Sequence, residues 1–190
     1  MERFTAAFPL LLIAILAGMS FWLERAVQGP PPPRDGSTRH DPDSIVENFV
    51  VTQLGKDGIP VHHLEAKRML HYPDDDTTHL EHPQLQRYDA GRLALRITAT
   101  RAQASSEGKT VDFQDDVKAV RMATGKYSEL TMTTEYLHVV PDDDFAKTDK
   151  PVRIVDANTQ VTAVGLELDN KAKTLKLLSN VRGSYVQRPN

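Results

Sequence analysis

A chain of 190 residues has room for one domain of ordinary size and a short appendage. Its formal charge of −3 offers nucleic acid no electrostatic purchase, so no nucleic-acid partner is expected. The absence of cysteine excludes disulfides, thiolate metal sites and a cysteine nucleophile, without excluding an oxidising compartment.

The first element is an uncharged run, "FTAAFPLLLIAILAGMSFWL", from Phe4 to Leu23, bounded by charged residues on both sides. Roughly twenty residues at about 1.5 Å each match the hydrocarbon core of a bilayer, and Trp22 stands where an interfacial aromatic belongs. The rival reading is a cleaved signal peptide. Its apolar core would be shorter and would end in small residues, whereas this run ends in the bulky "MSFWLER". Residues 1–26 are therefore expected to be an uncleaved transmembrane anchor. Arg3 precedes the span and Arg25, Arg34 and Arg39 follow it, so charge leaves the orientation open. A short tail ahead of a large domain is most simply a signal anchor with the domain exported. Residues 27–43, with the run "PPPP", predict an extended spacer.

From Ser44 onward the pattern is alternation. Leu93, Leu95, Ile97 and Ala99 share one face of "RLALRITAT", the period of a half-buried strand. Such runs are punctuated by "GKDG" at 55–58, "DAG" at 89–91, "SSEG" at 105–108, "PDDD" at 73–76 and 141–144, and "DNK" at 169–171. No amphipathic helix is evident, so residues 44–190 are expected to form an all-β domain. The run from Ile97 to Arg121 also lies without gaps over Val161 to Tyr185. Ala99 with Val117 and Ala163 with Val181 recur at one interval, and Ala66 with Leu85 and Thr134 with Val152 complete the series. The result is units of about 32 residues, each a strand, a turn and a returning strand, stacked to bury a shared face.

Within these units "PDDD" falls at the turn, where proline and aspartate have local backbone roles; the companion turns lack the carboxylate pairs that a metal site needs. Most of the seven histidines cluster nearby: His62, His63, His71, His79 and His82. A His/Asp metal centre is the enzyme reading. Adjacent His62 and His63 must point to opposite faces, as must His79 and His82 in an unbroken strand, which favours solvated histidines. No H-E-x-x-H, G-x-S-x-G or P-loop occurs, and no catalytic residue, metal or cofactor is expected. The apolar side chains of Phe49, Leu64, Leu80, Leu95, Ile97, Phe113, Leu130, Leu175 and Leu177 are ordinarily core. A stack of β-units that curls into a groove can instead accept an acyl chain along them, and periodicity leaves both readings open.

The anchor, "DPDSIVENFVVTQLGKDGIPVHHLEAKRMLHYPDDDTTHLEHPQL" and the terminal "LLSNVRGSY" together resemble the LptC family of lipopolysaccharide export proteins, over the whole chain. The resemblance implies a periplasmic β-jellyroll held on the inner membrane by one helix, in complex with the LptB/LptF/LptG ABC exporter, which carries the ATPase. It implies that lipopolysaccharide slides its acyl chains through the apolar interior and passes to LptA. The carboxy-terminal edge (Val181, Tyr185) is implied to meet LptA and the amino-terminal edge (Ile45, Val51) the exporter. Gly58 matches the family's turn glycine, and Tyr185 its terminal tyrosine, which joins the groove lining. The alternative is a membrane-anchored adaptor that joins jellyroll proteins by edge-strand pairing and carries no lipid.

Overall fold

The computed structural model describes residues 16–25, 40–125 and 127–185. Residues 16–25 are helical, and no helix among the described residues is long and apolar enough to cross a membrane. The span expected from Phe4 and the proline-rich spacer lie mostly outside the described residues.

The remainder is an antiparallel sheet of eleven strands. They are β1 (Ser44–Leu54), β2 (Pro60–Tyr72), β3 (Thr77–Glu81), β4 (Gln84–Asp89), β5 (Arg92–Thr98), β6 (Arg101–Ala104), β7 (Val111–Arg121), β8 (Leu130–Val140), β9 (Phe145–Val155), β10 (Thr159–Asp169) and β11 (Thr174–Tyr185). β2 pairs with β4 along its first half and with β3 along its second, and β7 pairs with β5 and β6 in the same way. β3 and β4 are thus two halves of one bent strand, as are β5 and β6. The topology is a meander in which each bent strand pairs with its predecessor, as expected of a jellyroll built from repeated hairpins.

The expected turns connect these strands. Gly58 closes the β1–β2 turn with φ of 78°, a left-handed conformation that glycine adopts without steric cost. Residues 73–76 turn between β2 and β3, where the Asp75 carboxylate accepts the Thr77 N–H at 3.1 Å. Pro141–Asp143 forms a 3-10 turn between β8 and β9, with Asp144 left-handed at its end.

Each long strand, and each bent pair β3–β4 and β5–β6, carries its inward residues in two groups, one on either side of the crease. On one side Phe49 pairs with Ala66, Val117 with Thr134, Thr134 with Val152, and Val152 with Ala163. On the other, Met69 pairs with Leu80, Leu80 with Ala102, Ala102 with Phe113, and Phe113 with Leu137. Between the two rungs lie Asn48, His82, Asp115, Asp116, Gly165 and Asn180, all at positive φ. These residues tolerate the left-handed region and act as bulges, which re-aim the strand so that both segments keep their apolar face inward. The sheet therefore bends along one crease. Phe113 is 0 % exposed, a degree of burial that a single layer with one wet face does not supply, so the two halves close on each other.

Two expectations need correction. Leu85 is not the counterpart of Ala66. It pairs with Leu64, while Pro83 takes the rung position beside Ala66 and accepts the Ala99 N–H through its carbonyl at 3.3 Å. Nor is the strand holding His79 and His82 unbroken, because His82 is the left-handed bend (φ 49°), so strand parity does not relate these two side chains.

Candidate functional site

The seam between the halves contains most of the expected lining. Leu80, Ile97 and Phe113 belong to the buried cluster, and Phe49, Leu64, Leu95, Leu130 and Leu177 pack against it partly buried. Leu175 and Tyr185 depart from the expectation, at 49 % and 68 % exposed. Leu175 shares the inward face, since it pairs with Leu168, but β11 is the last strand, and among the described residues no further strand covers the side chain. Tyr185 ends the same strand.

The edges differ from the middle. Among the described residues β1 pairs with β2 alone and β11 with β10 alone, and both are apolar on exposed positions of either face. Ile45, Val50, Val51 and Leu54 are exposed on β1, and Leu178, Val181 and Tyr185 on β11. Uncovered apolar edges with free backbone donors and acceptors are templates for strand addition.

At the rim of the seam the inward face turns polar. His62 pairs with Arg87 across β2 and β4, and its Nδ1 lies 3.0 Å from Gln53 Oε1. Burial pushes the His62 pKa down, and the neighbouring Arg87 cation adds to the effect. Arg87 Nη1 donates to the carboxylate of Asp144, in the β8–β9 turn of the opposite half. Strands β5 and β7 separate β4 from β8 within the sheet, roughly 14 Å at about 4.8 Å per strand, so this contact exists because the sheet is folded over.

The histidines do not converge. His63 bonds Thr52 and Glu65, His71 bonds Asp43 and Asp76, and the His79 ring lies against Tyr72. One group of three possible ligand atoms, from the exposed residues His40, Asp74 and Asp75, lies within 4.8 Å among the described residues. His40 Nδ1 is already 3.0 Å from Asp74 Oδ2, and its ring stacks on Tyr72 at 4.2 Å. With Asp43 bonded to His71 at 2.8 Å, the group ties the end of the spacer to the first "PDDD" turn. On the outer face Asp112 accepts from Tyr136 at 2.5 Å and lies 2.7 Å from His138. Burial and this carboxylate push the Tyr136 pKa up to about 12.

Sequence reasoning missed His40, Arg87 and Asp144. The crease residues did leave a signal: Gly165 and the Asp115–Asp116 pair interrupt otherwise regular alternation.

A sheet folded over an apolar seam and ended by two uncovered edge strands defines an open β-jellyroll-type scaffold. Residues 10–186 match the family model of LptC, "Lipopolysaccharide-assembly, LptC-related", and the chain belongs to this family. No individual curated protein matches the chain. Membership carries a role in lipopolysaccharide transport, in a family of transport components not known as enzymes.

Proposed function

We propose that this chain receives lipopolysaccharide from the inner-membrane LptB/LptF/LptG exporter and passes it to LptA, with the acyl chains held in the seam and the sugars in water. The observation that carries this reading is the apolar seam, which runs from one uncovered edge strand to the other. β1 would extend the sheet toward the exporter and β11 toward LptA, and the Phe4–Leu23 run would hold the domain to the inner membrane on its periplasmic side. Each CH2 withdrawn from the bilayer costs about 0.8 kcal/mol if exposed to water, so a continuous apolar path lowers the barrier while ATP hydrolysis on another subunit drives the step. No P-loop occurs in this chain.

The test is a photoreactive residue in place of Phe113 or Leu177. Crosslinks to lipopolysaccharide are expected in cells from both positions, and crosslinks only from the outward Arg96 refute passage through the seam. One observation favours the second reading, an adaptor that carries no lipid: the middle of the seam is filled by the protein's own side chains, Phe113 and Leu137 among them. In that case the purified chain binds LptA but shows no saturable binding of lipopolysaccharide.

A further inference from the structure

The polar contact at the rim is placed where an entering amphiphile meets the protein first. Along the inward face of the first half, Leu64 pairs with Leu85, and the next inward step toward the strand ends is His62 with Arg87, whose other neighbour is Leu95. Arg87 thus stands on the apolar face at its margin. Its partner Asp144 belongs to the opposite half and is fixed there, because the Asp144 carbonyl accepts the Asn170 N–H at 3.0 Å. The ion pair is half-buried, and Arg87 Nε is buried without a hydrogen-bond partner among the described residues.

An arginine fork is matched by two oxygens side by side, and here only Nη1 is engaged. A buried N–H left unpaired is costly, so an anion reaching both Nε and a terminal nitrogen holds Arg87 better than Asp144 does. A phosphate group has the oxygens to do this. Half-exposed ion pairs contribute little by themselves, which makes the carboxylate exchangeable. Once displaced, Asp144 faces the incoming anion together with Asp142 of the same turn, while Asp143 is paired with Lys171 at 3.1 Å, and the like charges push that turn away from Arg87.

We propose that Arg87 is the recognition point for the phosphate of a phosphorylated amphiphile at the mouth of the seam, and that Asp144 occupies it and latches the two halves until the phosphate takes its place. Exchange at Arg87 and parting of the halves are then one event, and the acyl chains that follow meet Leu64, Leu85 and Leu95. A ligand that binds only the parted state shifts the population toward it. The proposal rests on the reading of the seam as a lipid path.

The experiment uses the full chain in lipid nanodiscs and compares the variants Arg87→Gln and Asp144→Asn. Its probes are lipopolysaccharide, the same lipid enzymatically dephosphorylated, and inorganic phosphate. Arg87→Gln is expected to weaken lipopolysaccharide binding on the order of tenfold, the loss of one charge-assisted contact. Asp144→Asn is expected to bind at least as tightly as the unaltered chain, and both variants, having no latch to break, are expected to bind the dephosphorylated lipid at least as tightly as the unaltered chain does. A merely structural ion pair weakens equally from either side, and that result overturns the proposal. Inorganic phosphate that displaces the lipid at equal concentration shows a free-anion site and overturns the amphiphile assignment. Lipid binding indifferent to both variants overturns the latch alone, whereas an unaltered chain that binds neither lipid overturns the lipid path and the latch together. Because the chain has no cysteine, spin labels at Asp89→Cys and Lys147→Cys report the gap. The distance is expected to lengthen with Asp144→Asn and with added lipopolysaccharide. Should Arg87→Gln fail to fold, Asp144→Asn decides by itself: equal or tighter binding with a longer distance supports the latch, and weaker binding overturns it.

Discussion

Two threonines sit at equivalent depth in the seam, and their replacement by valine should shift stability in opposite directions. Thr134 and Thr148 are 7 % and 4 % exposed, on adjacent strands and on opposite sides of the crease. The Thr134 hydroxyl is buried without a partner among the described residues, and Thr134 pairs with Val117 and Val152, both apolar. Valine has the same shape without the polar group, so Thr134→Val removes a desolvation penalty and should stabilise by about 1 kcal/mol. The Thr148 hydroxyl instead accepts the Lys150 N–H at 3.1 Å, at a point where the ladder between β8 and β9 is interrupted. Thr148→Val leaves that N–H unpaired and should destabilise by roughly 1 kcal/mol. Urea unfolding followed by far-UV circular dichroism separates the two, with midpoints moving apart at constant slope. Thermal midpoints should shift by about 2–4 °C in each direction. Destabilisation by both substitutions would refute the assignment of Thr134 as an unpaired hydroxyl, and with it the packing described for that rung.

Other consequences can be measured separately. Gly165 has φ of 81°, and a Cβ there would lie 2.9 Å from Leu178 Cδ1, so Gly165→Ala should cost about 1–3 kcal/mol. Adding Leu178→Ala should recover only the steric part, because the backbone term remains; full recovery would show that the crease is not strained. The hydrogen bond to Asp74 raises the His40 pKa above its ordinary 6.5, and bonds to Asp43 and Asp76 raise that of His71. Asp74 and Asp76 are lowered from 3.8, the first chiefly by His40 and the second by Ser106 and then His71. The histidine contribution is full below pH 6.5 and lost as pH rises through the raised values, while the aspartate contribution is present above 3.8 and lost as pH falls through the lowered ones. The spacer is therefore held best between those limits. NMR titration should place His40 above 6.5 and return it toward 6.5 in Asp74→Asn, and an unmoved His40 would refute the pairing. On the proposed function, Val181→Lys, on the exposed edge β11, should weaken LptA binding about tenfold with stability unchanged within about 0.5 kcal/mol, and undiminished binding would remove β11 from the proposed interface.

The alternation of Leu95 and Ile97 and the punctuation at "GKDG", "SSEG" and both "PDDD" stretches made strands and turns legible, because period and turn chemistry act over a few residues. The repeat was legible for a deeper reason. Its anchors Val117, Thr134, Val152 and Ala163 are cross-strand neighbours on one rung beside the crease, so the interval shared by Ala99 to Val117 and Thr134 to Val152 is the length of chain that leaves that rung, turns and returns to it. Leu85 broke that rule because Pro83, which cannot donate to the ladder, takes the rung position at the bend after His82. Arg87 with Asp144 and His40 with Asp74 were not legible. Each joins segments that only the fold brings together, and a lone arginine or aspartate at a strand end carries no local signal of its partner.

The crease determines what the seam can do. Along it, left-handed residues in β1, β7, β10 and β11 and at the bend between β3 and β4 hold the crease, and the backbone ladder runs on either side. At the rim, the polar contact between β4 and the β8–β9 turn is one half-buried ion pair. A structure tied covalently and by hydrogen bonds along its fold line, and weakly at its rim, parts at the rim first. When empty it closes, because each Å² of exposed apolar interior costs about 25 cal/mol. On the proposed function, an acyl chain replaces the contacts that Phe113, Leu137 and their neighbours make with one another, so the leucine-rich faces remain covered in both states. The net cost of opening is then set by the rim, where Arg87 must exchange one anion for another.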